Sequence, residues 1–377
     1  MDDDIPYLLL TPGPLTTSRT VKSVMLQDFC TWDDDYSSLV QEIRAELTRL
    51  AGGHDADSSS GDELTAVLMQ GSGTFSVEAT IGTAVPRDGK LLVVNNGAYG
   101  ARMAQIARRL DIACREISQR ETEQADLRRI EAALEGDPSI THVAMVHCET
   151  TTGMLNPAAE AGALARRYGK SFILDAMSSF GGIPMTMASV GADWLISSAN
   201  KCIQGVPGFG LVVTRRQAIE ATKGQARSLS LDLYDQWREM EDKRGKWRYT
   251  SPTHTVRAFA QALQELRDEG GVEARHARYV ENARRLVEGY GRIGFRALLT
   301  PDVRSPIITS FLYPSAGFSF DSFYAAMKRR RFVLYPGKIS QAETFRVGTI
   351  GHVFPEDIDL LVKATKEAVT ELEIAFA

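Results

Sequence analysis

Between about residues 65 and 215 the chain alternates short apolar runs with segments of helical periodicity, and few fold classes tolerate that rhythm. Lys90–Asn95 is a compact apolar run closed by the turn pair Asn96-Gly97. A helical pattern follows over Ala101 to Leu110, with Met103, Ile106, Ala107 and Leu110 on one face. Thr141–Val146 is again apolar. Pro157 then opens a helix that runs to Tyr168 and is closed by Gly169, and the next run, Ser171–Asp175, ends in an acid. Trp194–Ser198 repeats the strand pattern before Ala199-Asn200-Lys201. Strands without alternation, separated by helices, predict an α/β fold whose mostly parallel sheet is covered on both faces. Such sheets bind ligands at the carboxyl ends of their strands, where Asn95, His147, Asp175 and Ser197 fall.

With 377 residues the chain exceeds what one core accommodates. We expect a large unit over 20–270 and a smaller α+β unit over 271–377, with segment 1–19 packed near the active site. The helices expected from Thr253 to Tyr290 are interrupted at Gly270-Gly271. Strands are expected at Ile307–Leu312, Phe332–Tyr335 and Thr344–Gly348, and helices at Ser319–Arg330 and Pro355–Glu371. The polar stretch 53–62 reads as a surface loop. A net charge of −5 argues against a nucleic-acid partner. No apolar run approaches the roughly 20 residues of a membrane span, and the acidic start Met1-Asp2-Asp3-Asp4 is unlike a secretory signal. Cys30, Cys114, Cys148 and Cys202 show no metal-binding spacing, so we expect reduced thiols in a cytoplasmic protein.

Three groups of residues carry chemistry. Ser72-Gly73-Thr74 precede a helix reaching Ala84, and a helix amino terminus opened by small residues suits a phosphate, although a plain cap reads the same way. Tyr99 follows Asn96-Gly97 at a strand end, where a ring either stacks on a planar ligand or simply starts a helix. Asp175 alone reads as a turn cap and Lys201 alone as a surface lysine. Together with the phosphate cradle they form the set that pyridoxal 5′-phosphate needs: a lysine for its aldehyde and a carboxylate for its ring nitrogen. Arg346 sits inside an apolar strand and needs an anion, either a protein carboxylate or an acidic substrate group.

The strings LLLTPGPLTTS (8–18), QGSGTFSVEA (70–79), VVNNGAYGARM (93–103), VHCETTTGMLNP (146–157), DAMSSFGGIP (175–184), LISSANKCIQGVPGFG (195–210), KWRYTSPTH (246–254) and YPGKISQ (335–341) cover most of the chain. Together they closely resemble the 2-aminoethylphosphonate–pyruvate aminotransferases, class-V enzymes of the fold-type I pyridoxal phosphate group. The resemblance implies transfer of an amino group from 2-aminoethylphosphonate to pyruvate, giving phosphonoacetaldehyde and alanine in phosphonate degradation. It implies Lys201 as the residue that carries the cofactor and Asp175 as partner of its ring nitrogen. Ser72, Gly73 and Thr74 go to the phosphate, with Asn200 close by, and Tyr99 to the stacking position. Thr150 goes to the ring oxygen and Arg346 to the substrate's acidic group. Thr250 is implied to reach the phosphate of the neighbouring subunit, hence a homodimer. A related alanine– or serine–glyoxylate aminotransferase, or one acting on another aminophosphonate, is the alternative. Cysteine desulfurases share the fold but need a reactive cysteine on a late loop, and no cysteine follows Cys202.

Overall fold

The computed structural model describes residues 6–53, 63–339 and 342–376. The surface loop expected at 53–62 lies, from residue 54 on, outside the described residues.

Seven strands make the central sheet: β1 (Leu64–Gln70), β2 (Lys90–Asn95), β3 (Ala113–Ser118), β4 (Ile140–Val146), β5 (Ser171–Asp175), β6 (Trp194–Ser198) and β7 (Phe209–Arg215). Their order is β1-β7-β6-β5-β4-β2-β3, and only β7 runs antiparallel to its neighbours. All five residues of β6 are buried, as expected where helices cover both faces. The edge strand β3 instead exposes Ala113, Arg115 and Ser118, and its polar side chains discourage further strand pairing.

Helix α1 (Asp34–Gly52) has no counterpart in the sequence expectations, although its buried Tyr36, Val40, Ile43, Leu47 and Ala51 recur at helical spacing. Helix α2 (Gly73–Ala84) follows β1 at one edge of the sheet and lies against β6 and β7. That crossing brings its amino terminus to the carboxyl ends of the central strands. Helix α3 (Ala98–Arg109) begins immediately after β2. Asn96-Gly97 reads as a turn, but Gly97 is extended, and a Cβ there would lie 2.3 Å from the Glu149 side chain. Close approach, not backbone freedom, requires this glycine.

After helices α4 (Thr253–Asp268) and α5 (Gly271–Ile293), a three-stranded antiparallel sheet forms from β8 (Ile308–Leu312), β9 (Tyr335–Pro336) and β10 (Thr344–Gly348), in the order β8-β10-β9. The expected single strand over Phe332–Tyr335 is divided. Phe332–Val333 pairs in parallel with Leu8–Leu9, whereas Tyr335–Pro336 pairs with β10. The amino-terminal segment supplies the first partner, and a non-local partner of that kind leaves no local sequence signal. An aromatic cluster that includes Tyr290, Phe295, Phe311 and Phe345 fills this part of the molecule, separate from the aliphatic core around the seven-stranded sheet.

Candidate active site

The carboxyl ends of β4, β5 and β6 open on a cavity of about 200 Å³. Asp175, Met177, Asn200 and Lys201 line it, together with Ser72, Gly73 and Thr74 at the start of α2 and Tyr99 and Arg102 on α3. Six residues singled out by sequence, Ser72, Gly73, Thr74, Tyr99, Asp175 and Lys201, therefore meet around one space, and Asn200 joins them.

Asp175 occupies the last position of β5, and its Oδ1 accepts from the Met177 N–H at 2.9 Å. Burial pushes its carboxyl up to about 6, offset in part by that N–H and by the nearby charges of Lys201 and Arg102. Burial acts oppositely on Lys201 and pulls its ammonium down to about 8. The Lys201 Nζ donates to the Pro12 carbonyl at 2.9 Å. Gly13 clears room for it: φ is +129°, and a Cβ there would stand 2.7 Å from Nζ. A lysine whose neutral form is accessible near neutral pH is a usable nucleophile and base.

The Ser72–Thr74 turn suits a phosphate. Ser72 is the N-cap of α2, yet its side chain caps no backbone N–H, which leaves its hydroxyl available. The Thr74 hydroxyl accepts from Arg102 NH1 at 3.1 Å. At Gly73 a Cβ would lie 2.2 Å from the Met177 sulfur, so backbone and thioether are in close contact. The hydroxyls of Thr150 and Ser198 are buried without a protein partner, as expected of groups that meet a polar ligand. These observations fit an aromatic phosphate ester bound between Tyr99, Asp175 and the α2 amino terminus.

Arg346 lies on β10 and is 3% exposed. It does not line the cavity. Its guanidinium donates to the carbonyls of Thr150 and Pro336, both at 2.9 Å, and packs 5.1 Å from the Tyr335 ring. Among the described residues it forms no ion pair with a carboxylate, although the Glu149 charge acts on it from nearby. No carboxylate is hydrogen-bonded to it directly.

Other expected positions lie apart. Thr250 is exposed and does not line the cavity of its own chain. His147 bonds to Ser179 at 2.9 Å, and burial pulls its ring down to about 4. Asn95 is occupied by Glu116 and by the Gly97 N–H, and Ser197 by the Met177 carbonyl. Cys202 packs in a small apolar cluster with its thiol on the Ser178 carbonyl.

The class-V aminotransferase family matches residues 59–319. The chain belongs to that family. The 2-aminoethylphosphonate–pyruvate transaminase of Syntrophobacter fumaroxidans is 61% identical to this aminotransferase over 365 residues, 97% of this chain and 96% of that protein. The protein of the same name from Vibrio vulnificus is 58% identical, covering 96% of this chain and 98% of its own length. In fold, the aminotransferase superposes on alanine–glyoxylate aminotransferase from Nostoc sp. with a TM-score of 0.87 at 25% identity, over 96% of this chain and 95% of the other. Pyridoxamine–pyruvate aminotransferase from Mesorhizobium loti gives 0.88 at 22%, covering 100% and 95%, a likeness of fold alone.

Two residues of this aminotransferase's site escape the sequence reading. Arg102 stands three positions after Tyr99 on α3, a spacing that places both on one helix face and was the available signal. Glu149 is fully buried; its Oε2 accepts from the Tyr99 N–H at 3.1 Å and its Oε1 from the Thr151 hydroxyl at 2.8 Å. Burial pushes its carboxyl up to about 7. No local pattern marks an acid that acts by holding a distant helix start.

Proposed function

We propose that this protein transfers the amino group of 2-aminoethylphosphonate to pyruvate, with pyridoxal 5′-phosphate as cofactor, yielding phosphonoacetaldehyde and L-alanine. The carrying observation is one cavity lined by Lys201, Asp175 and the Ser72-Gly73-Thr74 turn together. The near-full-length likeness to transaminases of that name supports the substrate pair.

When bound, the cofactor supplies an aldehyde that takes up an amine and a ring that stores the electron pair released at the substrate carbon. Ser72, Gly73 and Thr74 hold its phosphate with N–H and hydroxyl groups, with Asn200 beside them. Tyr99 would stack on the ring, Asp175 would accept from its protonated nitrogen, and the unpartnered Thr150 hydroxyl would serve its ring oxygen. Lys201 Nζ would hold the cofactor through its aldehyde. Once the substrate amine has displaced it, its free amine would take the proton from the amino-bearing carbon of the substrate, hold it as the ammonium and return it as an acid. Arg346 binds the phosphonate in the first half of the cycle and the pyruvate carboxylate in the second. One site serving both in turn predicts ping-pong kinetics.

The active form is a homodimer in which Thr250, exposed on its own chain, reaches the phosphate held by the other subunit. Leu26, Trp32 and Leu229 are 91%, 80% and 78% exposed, and Phe75, beside the cradle, is 50% exposed, an apolar surface that a second copy would cover. We divide the chain at 270, with residues 20–270 as the cofactor-binding unit, 271–377 as the smaller unit and the described part of the amino-terminal segment, from residue 6 to 19, packed against the site. The four free thiols suit a reducing cytoplasm. Incubation of the purified enzyme with 2-aminoethylphosphonate and pyruvate tests the reading, with alanine and aldehyde assayed beside alanine, serine and glyoxylate in place of the natural pair. Amino transfer confined to carboxylate donors would refute it.

A further inference from the structure

The phosphonate of the proposed donor carries up to two negative charges, while Arg346 offers one positive charge and also has to serve a monoanionic carboxylate. Two more cations face the same place. The Arg102 guanidinium stands 5.1 Å from the centroid of the Tyr99 ring, and Lys338 Nζ lies 5.9 Å from that centroid. Lys338 follows β9 directly, and the turn that carries it is fixed to β10. Arg346 Nε holds the Pro336 carbonyl, and Gly337 approaches so closely that a Cβ would lie 2.1 Å from the Thr344 carbonyl oxygen. Arg346 and Lys338 are thus set near one corner, beside a ring that lines the cavity. Among the described residues neither Lys338, Arg102 nor Arg346 pairs with a carboxylate.

We propose that Lys338 is a specificity-determining residue: with Arg346 it forms a headgroup subsite for a dianion, favouring phosphonate over carboxylate. The proposal rests on the functional reading above for its substrate but not for its electrostatics. Coulomb attraction scales with ligand charge. Removing one cation therefore costs a dianion the square of the factor it costs a monoanion. Lys338 is exposed, so its substitution leaves the core intact.

The test uses the cofactor-loaded enzyme and two amine-free probes, ethylphosphonate and propionate, with dissociation constants measured by calorimetry. At a pH where ethylphosphonate is dianionic, Lys338→Gln is expected to weaken it about tenfold and propionate about threefold, with Lys338→Arg restoring both. As the pH falls and ethylphosphonate becomes a monoanion, its ratio between wild type and variant is expected to drop toward that of propionate. The charged and titratable groups around the site are Tyr99 and Arg102 of α3, Tyr335 of β9, Arg346 of β10, Glu149, Asp175 and Lys201. Glu149, Asp175 and Lys201 titrate in or near the same range, and propionate, whose own charge is constant there, corrects for them. Equal weakening of both probes, which loss of support for Tyr99 alone would give, or no weakening of ethylphosphonate, overturns the proposal. If the charge-dependent loss appears but wild type does not turn over 2-aminoethylphosphonate, the subsite stands and the substrate assignment falls.

Discussion

Glu149→Gln isolates the energetic consequence of a fully buried acid beside the site. The Glu149 carboxyl titrates near 4.5 when free and near 7 when folded, because burial disfavours its charged form. Between those values the unfolded chain releases a proton that the folded chain retains. The stability associated with this group is therefore fully present below about 4.5 and declines as pH rises to about 7. The full loss corresponds to about 3 kcal/mol, of which about 2 to 3 kcal/mol falls between pH 5 and 8. Glutamine cannot ionise. Its amide oxygen can accept from the Tyr99 N–H, and its amide nitrogen can donate to the Thr151 hydroxyl, so both contacts survive at a cost of about 1 kcal/mol or less. We expect the variant to be more stable than wild type by about 2 kcal/mol at pH 8 and nearly equal at pH 5. Urea denaturation of both proteins, freed of cofactor and at one protein concentration, measures this directly. A difference between variant and wild type that is the same at the two pH values would refute the reasoning, since it would mean that the carboxyl is not held neutral by burial.

Borohydride reduction followed by peptide mass analysis should place the cofactor on Lys201 and nowhere else, and Lys201→Ala should be unlabelled and inactive; a label on another lysine removes Lys201 from its role. Arg346→Ala should raise KM for both substrates by roughly one to three orders of magnitude, the worth of a charged bidentate contact; an unchanged pyruvate KM would exclude it from the site. Gly73→Ala would set a Cβ 2.2 Å from the Met177 sulfur and push that flexible side chain toward the cavity, so cofactor affinity should fall about tenfold with little loss of fold; unchanged affinity would show that Met177 moves elsewhere. Gly153→Ala meets the Ile308 carbonyl oxygen at 2.3 Å with φ at +91°, and backbone cannot yield as a thioether can, so stability should drop by about 2 kcal/mol or more in thermal or urea unfolding.

Local chemistry wrote much of this protein into its sequence. The strand at Thr344–Gly348 and the final helix, Pro355–Glu371, stand where the apolar pattern, the proline at the helix start and the turn residues put them. So do the acid and the lysine at two strand ends, because parallel strands buried on both faces must be continuous apolar runs and their polar stops are conspicuous. Tertiary structure decided what no neighbour in sequence could. It routed α2 from the sheet edge to the cavity and split Phe332–Pro336 between two sheets. It buried Glu149 under Tyr99 and left Arg346 without a carboxylate ion pair. Each of these depends on which distant backbone or charge ends up within a few ångströms, and sequence periodicity carries no record of that distance.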